Sequence, residues 1–327
     1  MRIRVLGSAA GGGVPQWNCG CENCAAARDG GGVEPRTQSS VAVTADGERW
    51  LLLNASPDLR GQLAACRDLQ PRGIRAAPVA AVLLTDAEVD HTAGLLLLRE
   101  GGELSLHCTA FVRRALEGSG VAGTLAAYLT VRWTEIVPGR PLHPTGVDGS
   151  GLGLEVEPFA VAGDAPLYVL NGDRPREPGV HPENAGAGAG AVPGPEDAAD
   201  GGVVIGVRVR GTGSDAALVY VPGAGAVDPA LPGRVGPRDV LLWDGTFWED
   251  DELVRLGISR RRAREMGHLP LAGPGGALQA LAGLRPARKA LVHVNNTNPV
   301  LRRGSPERAA AEGAGWEIAR DGSEYVV

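Results

Sequence analysis

The stretch Leu83-Leu84-Thr85-Asp86-Ala87-Glu88-Val89-Asp90-His91-Thr92-Ala93-Gly94 decides how the rest of this chain is read. An apolar run, Pro78-Val79-Ala80-Ala81-Val82, precedes it and has the composition of a buried strand. Leu95-Leu96-Leu97-Leu98-Arg99-Glu100 follows and reads as the start of a helix. Asp86, Glu88, Asp90 and His91 therefore fall on a strand-to-helix turn. Such a turn can gather ligands at one point, because a strand sends alternate side chains to one face and the turn swings the next ones inward. Carboxylates are hard ligands, and mixed with imidazole they favour Fe2+ or Mn2+ over an all-histidine zinc site. Asp86 and Glu88 have a second reading, as acidic groups at the N-terminus of the following helix, where the helix dipole favours them.

Working outward, Arg2 to Leu6 alternates like a strand and leads into Gly11-Gly12-Gly13. Val41 to Val43 and Trp50 to Leu53 predict a hairpin around Ala45-Asp46-Gly47. Asp58 to Cys66 predicts a helix, Leu104 to His107 a strand and Phe111 to Glu117 a second helix. Gly153 to Phe159, Val203 to Val209 and Ala216 to Val221 alternate again, the last two as a pair. Val240 to Trp243 ends in Asp244, and Ala290 to Val294 contains His293. Trp316 to Ala319 and Tyr325 to Val327 close the chain. Hairpins thus give way to alternating strands and helices, twice over, with candidate ligands at strand ends. That order suits a layered α/β protein whose site lies along one sheet edge. Residues 171–201, rich in Gly, Ala, Pro and acidic groups without periodicity, read as a mobile surface insertion in a single domain of residues 1–327.

Three later segments are companions to the acidic turn. Trp243-Asp244-Gly245-Thr246 puts a carboxylate at a strand end. Met266-Gly267-His268 puts an imidazole in a loop, and His293-Val294-Asn295-Asn296-Thr297-Asn298-Pro299 puts one at another strand end beside a run of amides. Separately, Cys19-Gly20-Cys21-Glu22-Asn23-Cys24 gathers three thiols in one loop. Thiolates so spaced can take three corners of a tetrahedron around Zn2+, which points to a closed, structural site. The fourth ligand must come from elsewhere: His293, His268 or another histidine.

The bulk numbers narrow the classes. In 327 residues, 43% are hydrophobic, enough for a sizeable core. A net charge of −6 argues against nucleic acid as a partner. No apolar run is long enough to cross a membrane, so a cytoplasmic location is the default expectation. Five cysteines, an odd number with three crowded together, argue against a disulfide framework.

These residues resemble the PqqB family, the coenzyme PQQ (pyrroloquinoline quinone) synthesis protein B family of the metallo-β-lactamase fold. The segments that carry the resemblance are Gly7 to Cys19, Arg36-Thr37-Gln38-Ser39-Ser40, Asn54-Ala55-Ser56-Pro57-Asp58, Asp90-His91-Thr92 through Glu100, Asp244-Gly245-Thr246, Met266-Gly267-His268 and His293 to Pro299. The acidic turn has the spacing of that fold's signature, His-x-His-x-Asp-His, with Asp86 and Glu88 where the first two histidines stand. Only residues from about 171 to 201 lack a counterpart.

The resemblance implies a four-layer αββα sandwich, a structural zinc on Cys19, Cys21 and Cys24, and a part in making PQQ. It implies an enzyme, a non-haem iron oxygenase that uses Fe2+ and O2 to hydroxylate the tyrosine ring of a Glu-Tyr unit cut from a precursor peptide. Other PQQ-pathway proteins are the expected partners. The alternative it offers is a non-catalytic carrier that helps PQQ or its precursor reach the periplasm. On the first reading Asp90 and His91 bind or orient the metal. Asp86, Glu88, Asp244 and His268 are further ligands or acid/base groups, and His293 serves either this site or the zinc. One departure matters. Hydrolytic members of the wider superfamily carry a bridging Asp after a strand, but the corresponding stretch here, Tyr220-Val221-Pro222-Gly223-Ala224, has no carboxylate. The usual third-motif histidine also lacks an equivalent near Ala162-Gly163-Asp164. A mononuclear site is therefore expected in place of a dinuclear zinc hydrolase centre.

Overall fold

The computed structural model describes residues 1–170 and 202–327, so the insertion expected at 171–201 lies outside the described residues. The layering follows from which side chains each strand sends to which face. In the strand Val240–Asp244, Val240 and Leu242 join a core with Ile3, Val43, Leu53, Leu83, Tyr220 and Val292, between two sheets. Leu241 and Trp243 join a second core with Leu281, Val300 and Ala311 on the outer face. A strand buried on both faces must be apolar throughout, which explains the unbroken Val-Leu-Leu-Trp run. In the other sheet Leu83 points inward, while Val82 and Leu84 point outward against Phe111 and Leu116. The result is helix, sheet, sheet, helix: the expected αββα sandwich.

Numbered along the chain, the first sheet holds β1 (Arg2–Gly7), β2 (Ser40–Thr44), β3 (Trp50–Leu53), β4 (Val79–Leu83), β5 (Glu103–Thr109) and β6 (Thr130–Ile136), closed at the other edge by β13 (Glu324–Val326). The second holds β7 (Leu154–Ala160), β8 (Ile205–Gly211), β9 (Ala217–Val221), β10 (Val240–Asp244), β11 (Arg288–Val292) and β12 (Glu317–Ile318). Each sheet is antiparallel on one side and parallel on the other: β3 to β6 run parallel, as do β9 to β12. Ligands in open α/β sheets collect beyond the carboxyl ends of such parallel strands.

The expected hairpins form, β2 with β3 and β8 with β9. Edge strand β6 was not anticipated, because its half-exposed Thr-Val-Arg-Trp-Thr-Glu-Ile sequence lacks a buried apolar run. The helix expected over Leu95 to Glu100 is also corrected. One helical turn, α1 (Val89–Thr92), tightens at once into a 3-10 segment over Ala93–Gly101. No helix among the described residues is long and apolar enough to cross a membrane.

Gly94 ties this turn to the loop after β3. Its N–H donates to the Ala55 carbonyl at 2.9 Å, and Ala55 N–H donates to the His91 carbonyl at 2.7 Å. A Cβ at Gly94 would lie 2.1 Å from the Ser56 carbonyl oxygen, closer than any real contact. Backbone cannot yield as a side chain can, so overpacking here costs at least the usual 1–3 kcal/mol, roughly. Gly94→Ala should lower the urea midpoint accordingly and loosen metal binding at His91; a variant as stable as wild type would show that the turn does not need this close approach.

Candidate metal centre

The turn after β4 folds around Asp86. Its carboxylate accepts from Glu88 N–H at 3.0 Å and from Thr85 Oγ1 at 2.8 Å, and both oxygens lie 2.8 Å from His91 Nδ1. Asp86 and His91 are both buried. This leaves His91 Nε2 buried without a hydrogen-bond partner among the described residues, an arrangement that costs free energy unless something occupies that lone pair. A carboxylate on one ring nitrogen with the other aimed inward is the way proteins prepare a histidine to ligate a metal.

His293 follows β11 and lies in the left-handed region, with φ of 54°. A β-strand end bent this way is uncommon for a residue with a side chain and marks a functional constraint. Thr246, two residues past β10, holds the ring: its Oγ1 is 2.8 Å from His293 Nδ1 and donates to Asp244 Oδ1 at 2.5 Å. With its one proton committed to Asp244, the hydroxyl accepts from His293 Nδ1–H, so Nε2 carries the free lone pair. His293 Nε2 lies 3.1 Å from Asp90 Oδ2. That is the spacing of two neighbouring donors on one ion with bonds of about 2.1 Å. Asp244 Oδ2 accepts from Ala224 N–H at 2.9 Å and sits 2.7 Å from His268 Nδ1. The three imidazoles are thus each anchored through Nδ1, by Asp86, Asp244 and Thr246.

Two groups of donors converge within 4.8 Å: Asp90, His91 and His293; and Asp244, His268 and His293. Asp86 and Glu88 belong to neither, and the Glu88 side chain makes no helix-capping bond. The first group is a two-histidine, one-carboxylate set, and the unpartnered Nε2 of His91 gives an ion a reason to be there. The donors fit a ferrous ion.

The charges are mutually stabilised. Burial alone would lower the His91 pKa, but without an ion Asp86 and Asp90 outweigh it and push it up to about 9, so a metal must displace the Nε2 proton to bind. Burial would raise the Asp90 pKa, but His91 and His293 outweigh it and hold it well below the usual carboxylate range. Burial would lower the His268 pKa, but Asp244 raises it. Glu88 has no cation of its own: burial, then Asp86 and Asp90, push it up to about 7.

These residues line a cleft of about 290 Å³ whose walls include Gly11, Asp164, Leu167, Phe247, Arg261 and Met266. Gly163 and Gly223 also border it, at the positions where hydrolase ligands were sought and not found in the sequence. A Cβ at Gly223 would stand 3.8 Å from His268 Cε1, so that position faces the site and brings no carboxylate.

The Cys19, Cys21 and Cys24 sulfurs lie within 4.8 Å of one another, a cluster that suits zinc. The expectation that His293 or His268 completes this site is corrected: both rings are committed to the acidic centre through Asp90, Thr246 and Asp244. The amide of Asn296 faces the cysteines instead, its Nδ2 3.2 Å from Cys24 Sγ and 3.7 Å from Cys21 Sγ. Half a turn of that amide would present its oxygen to an ion. Burial raises the Cys21 pKa to about 11, so without an ion this thiol keeps its proton at neutral pH.

A β-lactamase superfamily domain model matches residues 49–294. A coenzyme PQQ synthesis protein B from Ruegeria pomeroyi is 43% identical over 327 residues, covering 100% of both chains. The protein of that name from Bradyrhizobium diazoefficiens is 40% identical, again covering 100% of both. The Zn2+-bound crystal structure of PqqB from Methylobacterium extorquens superposes with a TM-score of 0.85 at 40% identity, covering 100% of each chain. This chain belongs to the PqqB family. A diphosphatase of the PhnP family, at 17% identity and TM-score 0.62, shares the fold alone.

For a PqqB-family chain, the acidic turn was legible before the structure, but the residues that hold it in place were not all so. Thr246 and Asn296 stood inside quoted segments without an assigned role. Glu252 gave no signal. It is buried, accepts from Trp248 N–H at 2.7 Å and from the Thr297 hydroxyl, and so joins the loop after β10 to the loop after His293.

Two predictions follow from these anchors. Asp86→Asn should weaken binding of a divalent metal at Asp90, His91 and His293 about 10- to 100-fold while leaving metal uptake by the cysteines unchanged. Titration against a competing chelator measures this, and an unchanged affinity would remove Asp86 from the site. For Glu252, burial raises the folded pKa to about 7 from an ordinary 4.5, with Thr297 and Trp248 opposing. The folded state therefore holds this proton more tightly, contributing stability below pH 4.5 that is lost as pH rises through 7. Glu252→Gln can accept from Trp248 N–H through its oxygen and donate from Nε2 to the Thr297 hydroxyl, as the protonated glutamic acid would, without a charge. It should match wild type at pH 5 and exceed it by roughly 1–3 kcal/mol at pH 8.5 in urea denaturation. Parallel pH profiles for the two proteins would mean that Glu252 is already ionised.

Proposed function

We propose that this chain acts in PQQ biosynthesis as a mononuclear, iron- and O2-dependent hydroxylase of the tyrosine ring in a Glu-Tyr unit. Family membership supports the pathway. The observation that carries the chemistry is the Asp90, His91 and His293 set, with His91 Nε2 buried and unpartnered. Two imidazoles and one carboxylate leave coordination positions open on one side, as non-haem iron oxygenases require. A ferrous ion held there supplies O2 binding and activation, chemistry no side chain offers.

The protein's own groups do the rest. Asp86 and Thr246 fix the His91 and His293 rings, and Asp244 fixes His268 at the cleft wall. The Asp244–His268 pair is placed to take the phenol proton as the ring is oxidised. Glu88, beside Asp86 and Asp90, is a second proton carrier facing the cleft. Phe247 and Leu167 give the ring an apolar wall that limits water.

The test uses protein purified without oxygen and loaded with Fe2+. Glu-Tyr, a two-electron reductant such as ascorbate and then O2 are added, one oxygen atom entering the ring and the other leaving as water with two electrons and two protons, and O2 uptake and peptide mass are followed. The expected product is one oxygen atom heavier, formed by wild type and not by His91→Ala. A peptide of unchanged mass, with wild type and His91→Ala alike, would sink the hydroxylase reading. PQQ binding without turnover would then favour the carrier.

A further inference from the structure

The run Arg260-Arg261-Arg262-Ala263-Arg264 has no part in the metal set. Arg262 lies 3.6 Å from Asp250, and Arg264 donates to the carbonyls of Pro274 and Gly275. Arg261 turns the other way and lines the cleft. One of its nitrogens donates to the Glu265 carbonyl, and it makes no ion pair among the described residues. It is the one arginine or lysine among the described residues lining that cleft.

We propose that Arg261 is the carboxylate anchor of the cleft, gripping a carboxylate of a small peptide ligand while its aromatic ring reaches toward the metal donors. This rests on the cleft being the substrate site and names what recognises the substrate there. Four physical points carry it. Asp86 and Asp90 are offset by His91 and His293, but Glu88 and Asp164 line the cleft without an imidazole in contact, so a ligand carboxylate is steered to the arginine on that wall. A guanidinium keeps its charge at all working pH values and presents five N–H donors in a planar fork that matches a carboxylate. The Glu265 carbonyl holds that fork in place through one donor and leaves the others free, so little side-chain freedom is lost on binding. The cleft, at about 290 Å³, is near the small end of ligand sites, so a ligand whose ring lies against Phe247 cannot carry its charged groups far from Arg261.

The experiment is calorimetry without oxygen on the Fe2+-loaded protein, with Glu-Tyr, Gln-Tyr and the C-terminal amide of Glu-Tyr as probes. Wild type should bind Glu-Tyr about 10- to 100-fold tighter than one of the two neutralised analogues, the gain expected of a charge-assisted hydrogen-bond pair. Arg261→Gln should erase that difference, and Arg261→Lys should restore part of it. In turnover, Arg261→Gln should raise KM with little change in kcat. A full preference retained by Arg261→Gln, or no preference in wild type, overturns the proposal. Wild type that binds no peptide but binds PQQ, with that binding lost in Arg261→Gln, overturns the Glu-Tyr reading and keeps Arg261. PQQ bound equally by both proteins, or no probe bound at all, overturns Arg261 as well.

Discussion

The hydroxyl of Thr246 is the constraint on which the metal centre turns. It has a single proton, and Asp244 takes it at 2.5 Å. His293 is then left as the donor in its contact with Thr246, which fixes the tautomer and frees Nε2 toward Asp90. The backbone enforces the same arrangement. Asn295 N–H donates to the Thr246 carbonyl at 3.1 Å, and Asn298 Nδ2 donates to the Gly245 carbonyl at 2.8 Å. The loops after β10 and β11 therefore hold each other, and they hold His293 in a left-handed backbone conformation that costs of order 1–3 kcal/mol.

Burying Asp86, Asp90 and Asp244 in one place would be prohibitive if each stood alone. Here each faces an imidazole whose pKa is raised or whose ring is pinned by the contact. The cluster is close to self-neutralising, which lets it survive inside a sandwich of Val, Leu and Ala. Glu88 is the exception, since its neighbours are Asp86 and Asp90 and its proton stays on at higher pH than an ordinary glutamate. The centre thus separates carboxylates held ionised to bind or orient from one held ready to exchange a proton.

Much of the fold was legible because its strands are buried on both faces and write themselves as short apolar runs. Val240 to Trp243 and the strand before Asp86 are such runs. Strand β6 escaped because Arg132, Thr134 and Glu135 leave it looking like a loop. The 3-10 segment escaped because Leu95 to Leu98 satisfies an α-helical reading equally well. At the site, Asp90 and His91 were readable from spacing within one turn. His293 was recognised, but its allegiance was open, since a sequence does not show which of two nearby clusters a ring will face. Glu252 and Arg261 act through loops that only the folded chain brings to the cleft.

The three cysteines do not stand apart from this. Asn23, between Cys21 and Cys24, donates to the carbonyls of Asn296 and Asn298 at 2.9 and 2.8 Å, and Asn296 faces the sulfurs. The turn that carries these amides begins at His293. An ion on the thiolates and an ion at His293 therefore share one piece of backbone. Any ion that ordered that turn from one side would favour an ion on the other, and by the same factor in return. Order at the cysteine loop and order at the acidic turn are thus one property of the fold, carried by the residues from His293 to Asn298.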